Sequence, residues 1–133
     1  MVERSLVFIK PDGVQRGLVG KVLGRFETRG IKLVELKMLT LTSKLVDKHY
    51  EEHVKKPFYP GLKEYVMSGP VVVMVLEGEG VISVIRKMVG TTDPAEADSG
   101  TIRGDYALTK SFNIIHASDS QQSAEREIKN FFG

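Results

Sequence analysis

The chain contains no cysteine. Disulfides and thiolate metal sites are therefore excluded, and thiols say nothing about its redox compartment. No run approaches the ~20 apolar residues that a membrane span requires. No sign of charge dominates, since 19 Lys and Arg face 17 Asp and Glu for a formal net charge of +2. So mild a balance does not predict a nucleic-acid surface, which usually shows a clustered basic face. Internal repeats, low-complexity tracts and linkers are also missing. The first residues, Met1-Val2-Glu3-Arg4, lack the basic-then-apolar layout of a secretory signal. The expectation is a cytoplasmic protein, with neither membrane nor nucleic acid as its main partner.

What is present is an ordinary globular composition. The 133 residues are 41% hydrophobic and 27% charged, which fits one domain, residues 1–133, with a real core. Ser5 to Lys10 is a compact apolar run stopped by the turn signal Pro11-Asp12-Gly13, and reads as a buried strand. Leu18 to Arg29 sets Leu18, Val19, Val22, Leu23 and Phe26 at helical spacing, with Gly30 as the C-cap. Ile31 to Leu41 alternates: Ile31, Leu33, Glu35 and Lys37 share one face, and Lys32, Val34, Leu36 and Met38 the other. That predicts a second strand. Ser43 is the expected N-cap of a helix through Glu52. Lys55 to Pro60 reads as a loop and Leu62 to Met67 as a short helix.

Pro70 to Leu76 is the most strand-like run, rich in β-branched residues. Val81 to Val89 returns to helical spacing. Gly90 to Gly104 is a long polar connection, and connections of that length in a compact domain are usually functional. Phe112 to His116 is the fourth expected strand. Asp119 to Phe132 is the closing helix, with Asp119 and Gln122 at capping-box spacing. The order β, α, β, α, β, α, β, α contains two strand–helix–strand units. It predicts an α+β fold, a ferredoxin-like split βαβ sandwich with a four-stranded antiparallel sheet covered by helices. A doubly wound parallel sheet is the alternative, but the chain lacks a Gly-rich first turn of the dinucleotide type.

The chemistry concentrates in Asn113-Ile114-Ile115-His116-Ala117-Ser118-Asp119-Ser120. An imidazole is nucleophilic near neutral pH, and a covalent intermediate on it needs the ring held in one orientation by a third group. A core histidine with satisfied nitrogens is the plainer alternative. Several other residues suit phosphate. Lys10 ends the first strand, where a cation can project into a cleft. Arg86 lies on an otherwise apolar helix, and Thr92 and Arg103 flank the long connection. Arginine matches phosphate oxygens by its forked geometry, although a single basic residue is more often a solvated surface charge.

Other patterns carry less. The stretch Gly13 to Lys21 resembles a P-loop but has Gln15 where a glycine belongs and Val22 in place of the Mg²⁺-binding Ser or Thr. His49-Tyr50-Glu51-Glu52-His53 spells the H-x-x-E-H of inverted zinc peptidases, and on one helix the two histidines would share a face. A catalytic zinc needs a third ligand and a cleft, and the only other histidine is His116.

Three blocks, Lys10-Pro11-Asp12-Gly13, Gly100-Thr101-Ile102-Arg103-Gly104-Asp105 and the His116 octapeptide, resemble nucleoside diphosphate kinases in order and spacing, from about Arg4 to Phe131. The resemblance implies ping-pong transfer of a γ-phosphoryl group through a phosphohistidine. His116 would accept the group on Nδ1. Glu127 would bond the other ring nitrogen, supported by Ser118. Arg86, Thr92 and Arg103 would hold phosphates, with Mg²⁺ bridging two of them and no metal ligand drawn from the chain. Lys10 and Asn113 would reach the ribose hydroxyls, and Lys10 also the transferring group. Tyr50 would sit against the histidine, and Phe58 would stack on the base with broad tolerance of its identity. On this reading His49 and His53 are bystanders. The implied partners are nucleoside di- and triphosphates and further copies of the chain. The long loop around Asp93 to Ser99 favours a homo-hexamer, with a tetramer as the alternative. One departure is Ala117, where most of the family has glycine. A positive φ there would cost on the order of 1 kcal/mol.

Overall fold

The computed structural model describes residues 1–133. Four strands form one sheet in the order β2-β3-β1-β4: β1 Val2–Ile9, β2 Lys32–Leu39, β3 Val71–Glu79 and β4 Ile115–Ala117. Every neighbouring pair is antiparallel, as the split βαβ expectation requires. Two helices, α2 Val19–Thr28 and α5 Val81–Val89, provide the strand-connecting units. The others are α1 Pro11–Gln15, α3 Ser43–His49, α4 Tyr59–Val66, α6 Ile102–Tyr106 and α7 Gln121–Phe132.

The sheet is buried on both faces, which explains its sequence. Side chains alternate across a strand, so Val7 and Ile9 join Val72, Met74 and Leu76 in one core with Val22, Phe26 and Ile85. Leu6 and Phe8 join Val71 and Val73 in a second core with Val46, Tyr59, Val66 and Phe131. A strand covered on both sides reads as a continuous apolar run rather than an alternating one. That is the pattern of β1 and β3. The edge strand β2 is mostly exposed, and its expected alternation is broken by a register shift between Leu33 and Glu35.

Several boundaries differ from the sequence reading. The turn at Pro11 is a short helix, α1, because proline at the first helical position loses no hydrogen bond. Likewise α4 begins at Tyr59, with Pro60 inside its first turn rather than in a loop. Thr42, not Ser43, caps α3: its side chain accepts from the Leu45 N–H at 3.2 Å. The helix stops at His49, so His49 and His53 do not share a helix face. Ser120, not Asp119, caps α7 by accepting from the Ser123 N–H at 3.1 Å. Gly30 follows α2 at φ +89°, where its N–H reaches the Glu27 carbonyl at 3.0 Å, as a C-terminal glycine should. The long polar connection contains a 3-10 turn at Pro94–Glu96 and then α6, which puts Arg103 on a helix and not in a loop.

Two glycines are set by the space around them. A Cβ on Gly13 would lie 2.7 Å from Ile9 Cγ2 and 3.3 Å from the Ile114 carbonyl oxygen, so α1 packs against β1 only through a bare backbone. A Cβ on Gly104 would lie 2.0 Å from the Asp98 carbonyl oxygen. Gly24, inside α2, has nothing within 4 Å of such an atom. Gly104→Ala is therefore expected to destabilise the protein by about 1–3 kcal/mol through overpacking. Gly24→Ala should stabilise it by about 0.5–1 kcal/mol through helix propensity. Urea unfolding of the two variants checks both signs, and equal midpoints would overturn the packing account.

Candidate active site

A cavity of about 960 Å³ opens beside the C-terminal end of β1. Lys10, Tyr50, Phe58, Arg86, Thr92, Arg103, Asn113, His116 and Glu127 all line it. Nine of the ten residues singled out in the sequence thus meet in one place, and the tenth, Ser118, lies buried directly behind Glu127.

His116 sits on β4 opposite Phe8 of β1. The pairing stacks the imidazole on the Phe8 ring, with centroids 5.0 Å apart and planes at 28°. Glu127 reaches it from α7, on the face shared with Ala124 and Phe131. His116 Nε2 lies 2.9 Å from Glu127 Oε1, and the Ser118 hydroxyl donates to the same oxygen at 2.8 Å. The Leu6 N–H donates to the Ser118 oxygen at 3.1 Å, tying this chain to the central strand. A carboxylate can only accept, so Nε2 carries the ring proton and Nδ1 keeps its lone pair.

His49 is the main correction among the histidines. It is buried rather than exposed, and its ring meets His116 edge-on at 4.7 Å and Phe8 at 5.4 Å. Burial first, then the nearby His116 and Arg126, lowers its pKa to about 2, so it stays neutral. Tyr50 packs on it at 4.5 Å. The buried Tyr50 hydroxyl has no partner, and burial raises its pKa so that it remains a phenol. Sequence missed His49 because α3 looked like a longer, charged, solvated helix. His53 does behave as a surface residue, with Lys56 Nζ 3.1 Å from its Nδ1.

The cations have distinct surroundings. Lys10 Nζ donates to Asn113 Oδ1 at 2.7 Å, and Asn113 Nδ2 donates to the Thr92 carbonyl at 3.1 Å. Burial, and then the neighbouring Arg103, pulls the Lys10 pKa down to about 7, with Asp12 opposing. Arg103 is also buried. It donates to the carbonyls of Asn113 (3.3 Å), Gly90 (3.1 Å) and Ile115 (2.6 Å). Desolvation and Arg86 bring its pKa to about 10, still charged at neutral pH. Arg86 donates to the Ala117 carbonyl at 3.2 Å. Ala117 itself is an ordinary strand residue, and the only non-glycine with positive φ is Ile114. The glycine-to-alanine departure therefore carries no backbone cost.

The H-x-x-E-H pair does not form a metal site. A different trio, His49, His116 and Glu127, brings ligand-type atoms within 4.8 Å of one another. Glu127 there is already engaged by His116 and Ser118, and Lys10, Arg86, Arg103 and Arg126 also line the cavity. That field favours polyanions over a bare dication. Magnesium asks for six oxygens in an octahedron, and the cavity carboxylates Glu52, Asp119 and Glu127 do not make such a cage. The donor set fits Mg²⁺ that arrives already bound to phosphates.

A family model described as nucleoside diphosphate kinase matches residues 3–133. The chain belongs to the nucleoside diphosphate kinase family. It is accordingly an enzyme of nucleotide phosphoryl transfer. It is 61% identical over 127 residues to the nucleoside diphosphate kinase of Methanocorpusculum labreanum, covering 96% of this chain and 85% of that protein. Against the nucleoside diphosphate kinase of Archaeoglobus fulgidus the identity is 56% over 131 residues, covering 98% and 87%. The fold agrees as closely. A halophilic nucleoside diphosphate kinase from Halobacterium salinarum, solved in complex with CDP, superimposes with a TM-score of 0.97 at 46% identity, over 99% of this chain and 88% of that one. A family protein from Babesia bovis gives 0.95 at 47% identity, over 98% and 88%. No helix of the kinase is long and apolar enough to cross a membrane.

The Lys10 environment makes a testable statement about pH. The unfolded chain holds this proton up to the ordinary value of 10.5, the folded chain only to about 7. Between those values the unfolded state binds more protons, so the Lys10 contribution to stability rises with pH across that window. Urea unfolding of wild type and Lys10→Met from pH 7 to 10 should show wild type gaining on the variant. Parallel curves would mean that Lys10 keeps an ordinary pKa.

Proposed function

We propose that the protein transfers the γ-phosphoryl group of a nucleoside triphosphate to a nucleoside diphosphate through a phosphohistidine at His116. The observation that carries this reading is the Nε2 to Glu127 contact, which leaves Nδ1 as the free nucleophile at the cavity wall. The Nδ1 lone pair attacks the γ-phosphorus. A nitrogen–phosphorus bond forms as the bond to the bridging β-phosphate oxygen breaks, and the diphosphate leaves with that electron pair. The ring then carries positive charge, which the Glu127 carboxylate balances. A second nucleoside diphosphate enters, its terminal oxygen takes the phosphoryl group, and Nδ1 regains its lone pair. Splitting the transfer in this way replaces one direct displacement by two easier ones.

The rest is positioning and electrostatics. Arg86, Thr92 and Arg103 receive phosphate oxygens. Lys10 and Asn113 take the ribose hydroxyls, and Lys10 also faces the transferring group. Its lowered pKa is reversed when anionic phosphates enter. Tyr50 packs on His49, which meets the His116 ring edge-on, and Phe58 gives the base a stacking face that reads no hydrogen-bond pattern. When bound, Mg²⁺ would be held by the nucleotide's own phosphates and would supply charge neutralisation there, and Arg86, Thr92 and Arg103 would contact phosphate oxygens.

We also infer self-assembly. The edge strand β2 exposes Leu36 and Met38 beside unpaired backbone groups, the kind of edge that proteins cover by pairing. A homo-hexamer is favoured and a tetramer is the alternative. Light scattering should return about six times the 14.8 kDa chain mass, and a monomer would overturn the inference.

The decisive experiment for the chemistry is incubation with γ-labelled ATP and Mg²⁺ without acceptor, followed by a GDP chase. An acid-labile, base-stable labelled protein that passes its label to GDP is expected. His116→Ala should take no label while keeping its fold. Glu127→Gln should slow labelling about tenfold or more, the worth of one charge-assisted hydrogen bond at roughly 1.5–3 kcal/mol. Turnover of His116→Ala at the wild-type rate would end the phosphohistidine reading.

A further inference from the structure

The block Lys10-Pro11-Asp12-Gly13 contains a carboxylate that the chemistry above leaves without a task. Asp12 sits in the first turn of α1. It does not line the cavity, whereas Tyr65 of α4 does. The two meet: the Tyr65 hydroxyl donates to Asp12 Oδ1. Burial first, and then this bond, raises the Tyr65 pKa, so the group stays a phenol and keeps its proton to donate.

The pair lies next to Lys10. The buried ammonium bonds a neutral amide oxygen, Asn113 Oδ1 at 2.7 Å, rather than a carboxylate, and it stands 6.0 Å from the centre of the Tyr65 ring. Asp12 is the carboxylate whose charge favours the Lys10 proton, against burial and Arg103. A carboxylate in that position, if free to turn, is drawn to the ammonium, because opposite charges attract more strongly where water is excluded. A lysine so paired has its charge neutralised and its head group turned away from an incoming phosphate.

We propose that Tyr65 is a positioning residue: its hydroxyl holds the Asp12 carboxylate off Lys10, so that the ammonium stays free of an ion pair and open to the nucleotide. The Asp12 charge then supports the Lys10 proton from a distance without competing with phosphate for the head group. Tyr65 and Asp12 act through Lys10 and touch no reacting atom. This rests on the phosphohistidine reading above for the placement of the nucleotide at Lys10.

Tyr65→Phe keeps the ring and removes only the oxygen that restrains Asp12. Full-length wild type, Tyr65→Phe, Asp12→Asn and the double variant are incubated with Mg²⁺ and increasing γ-labelled ATP. With Lys10 drawn to Asp12 in about nine molecules of ten, the half-saturating ATP concentration of Tyr65→Phe should rise about tenfold, and its saturating rate should stay within about threefold of wild type. In the Asp12→Asn background, where the competing charge is gone, Tyr65→Phe should have no further effect. Loss of packing alone would not produce that non-additivity. Wild-type half-saturation in Tyr65→Phe, or the same rise in the Asp12→Asn background, would overturn the proposal while leaving the phosphohistidine intact. Absence of any phosphoenzyme in wild type would instead remove the chemical reading. Calorimetric binding of ADP to the four proteins then decides the positioning role on its own. Weaker binding in Tyr65→Phe that vanishes once Asp12 is replaced supports it, and equal losses in both backgrounds, or none, overturn it.

Discussion

One hydrogen bond, between His116 Nε2 and Glu127 Oε1 at 2.9 Å, determines which nitrogen of the ring is free to react. Much of the fold can be understood as what keeps that bond in place. A histidine on a three-residue strand would rotate about its side-chain bonds without support. The stacked Phe8 ring on the neighbouring strand restricts it on one side and the edge of His49 on another. Glu127 is fixed by Ser118, and Ser118 by the backbone of Leu6 in the middle of the sheet. β1, remote in sequence from the neighbouring β4 and α7, therefore has to be packed against both before the tautomer is set. The chemistry depends on global folding and not on a local motif.

The electrostatics of the cavity follow from the same packing. Five Lys and Arg side chains line it, and four of them, Lys10, Arg86, Arg103 and Arg126, each donate to at least one neutral oxygen atom. Arg103 is satisfied by three backbone carbonyls, which makes it a strut between α6 and the segment entering β4. It holds positive charge at the cavity wall without a carboxylate partner that would cancel that charge. Lys10 is the opposite case, buried deeply enough that its proton is weakly held when the cavity is empty. A polyanion entering such a site strengthens the protonation that helps to bind it. The Lys10 side chain is thus more fully protonated beside a polyanion than in the empty cavity.

The sequence disclosed some parts of this well and others not at all. Strands β1 and β3 were legible because burial on both faces leaves a continuous apolar run. Helices α2 and α5 were legible because each is long enough to show a period. The helices α1 and α6 have five residues each, too few for periodicity, and both were read as turns or loop. Arg103 lines the cavity from a helix, whereas the sequence placed it at the end of a long connection. The ten site residues came from family resemblance, whereas the spacing of basic residues gave only scattered cations. His49 was missed because whether a lone histidine is buried depends on neighbours that are distant in sequence.

Ile114 left no trace in the sequence at all, and it explains how the active segment works. It is a β-branched residue at φ +57°, a conformation that costs on the order of 1–3 kcal/mol. The Ile115 N–H reaches back to the Asn113 carbonyl at 2.8 Å, closing a three-residue turn around it. In a regular strand, residues three apart point to opposite faces. Asn113 and His116 are three apart, and both line the same cavity. The turn at Ile114 is what brings them to one side. Its strain is offset by full burial of the isoleucine side chain, worth about 1.5–3 kcal/mol, and by the Lys10 N–H donating to the Ile114 carbonyl at 2.7 Å. The bare backbone of Gly13 leaves room for this contact. An isoleucine is usually evidence for extended backbone, so the residue that shortens β4 is the one whose type argued for a longer strand. The local preference gives way here because the site needs two side chains on one side of the chain within four residues.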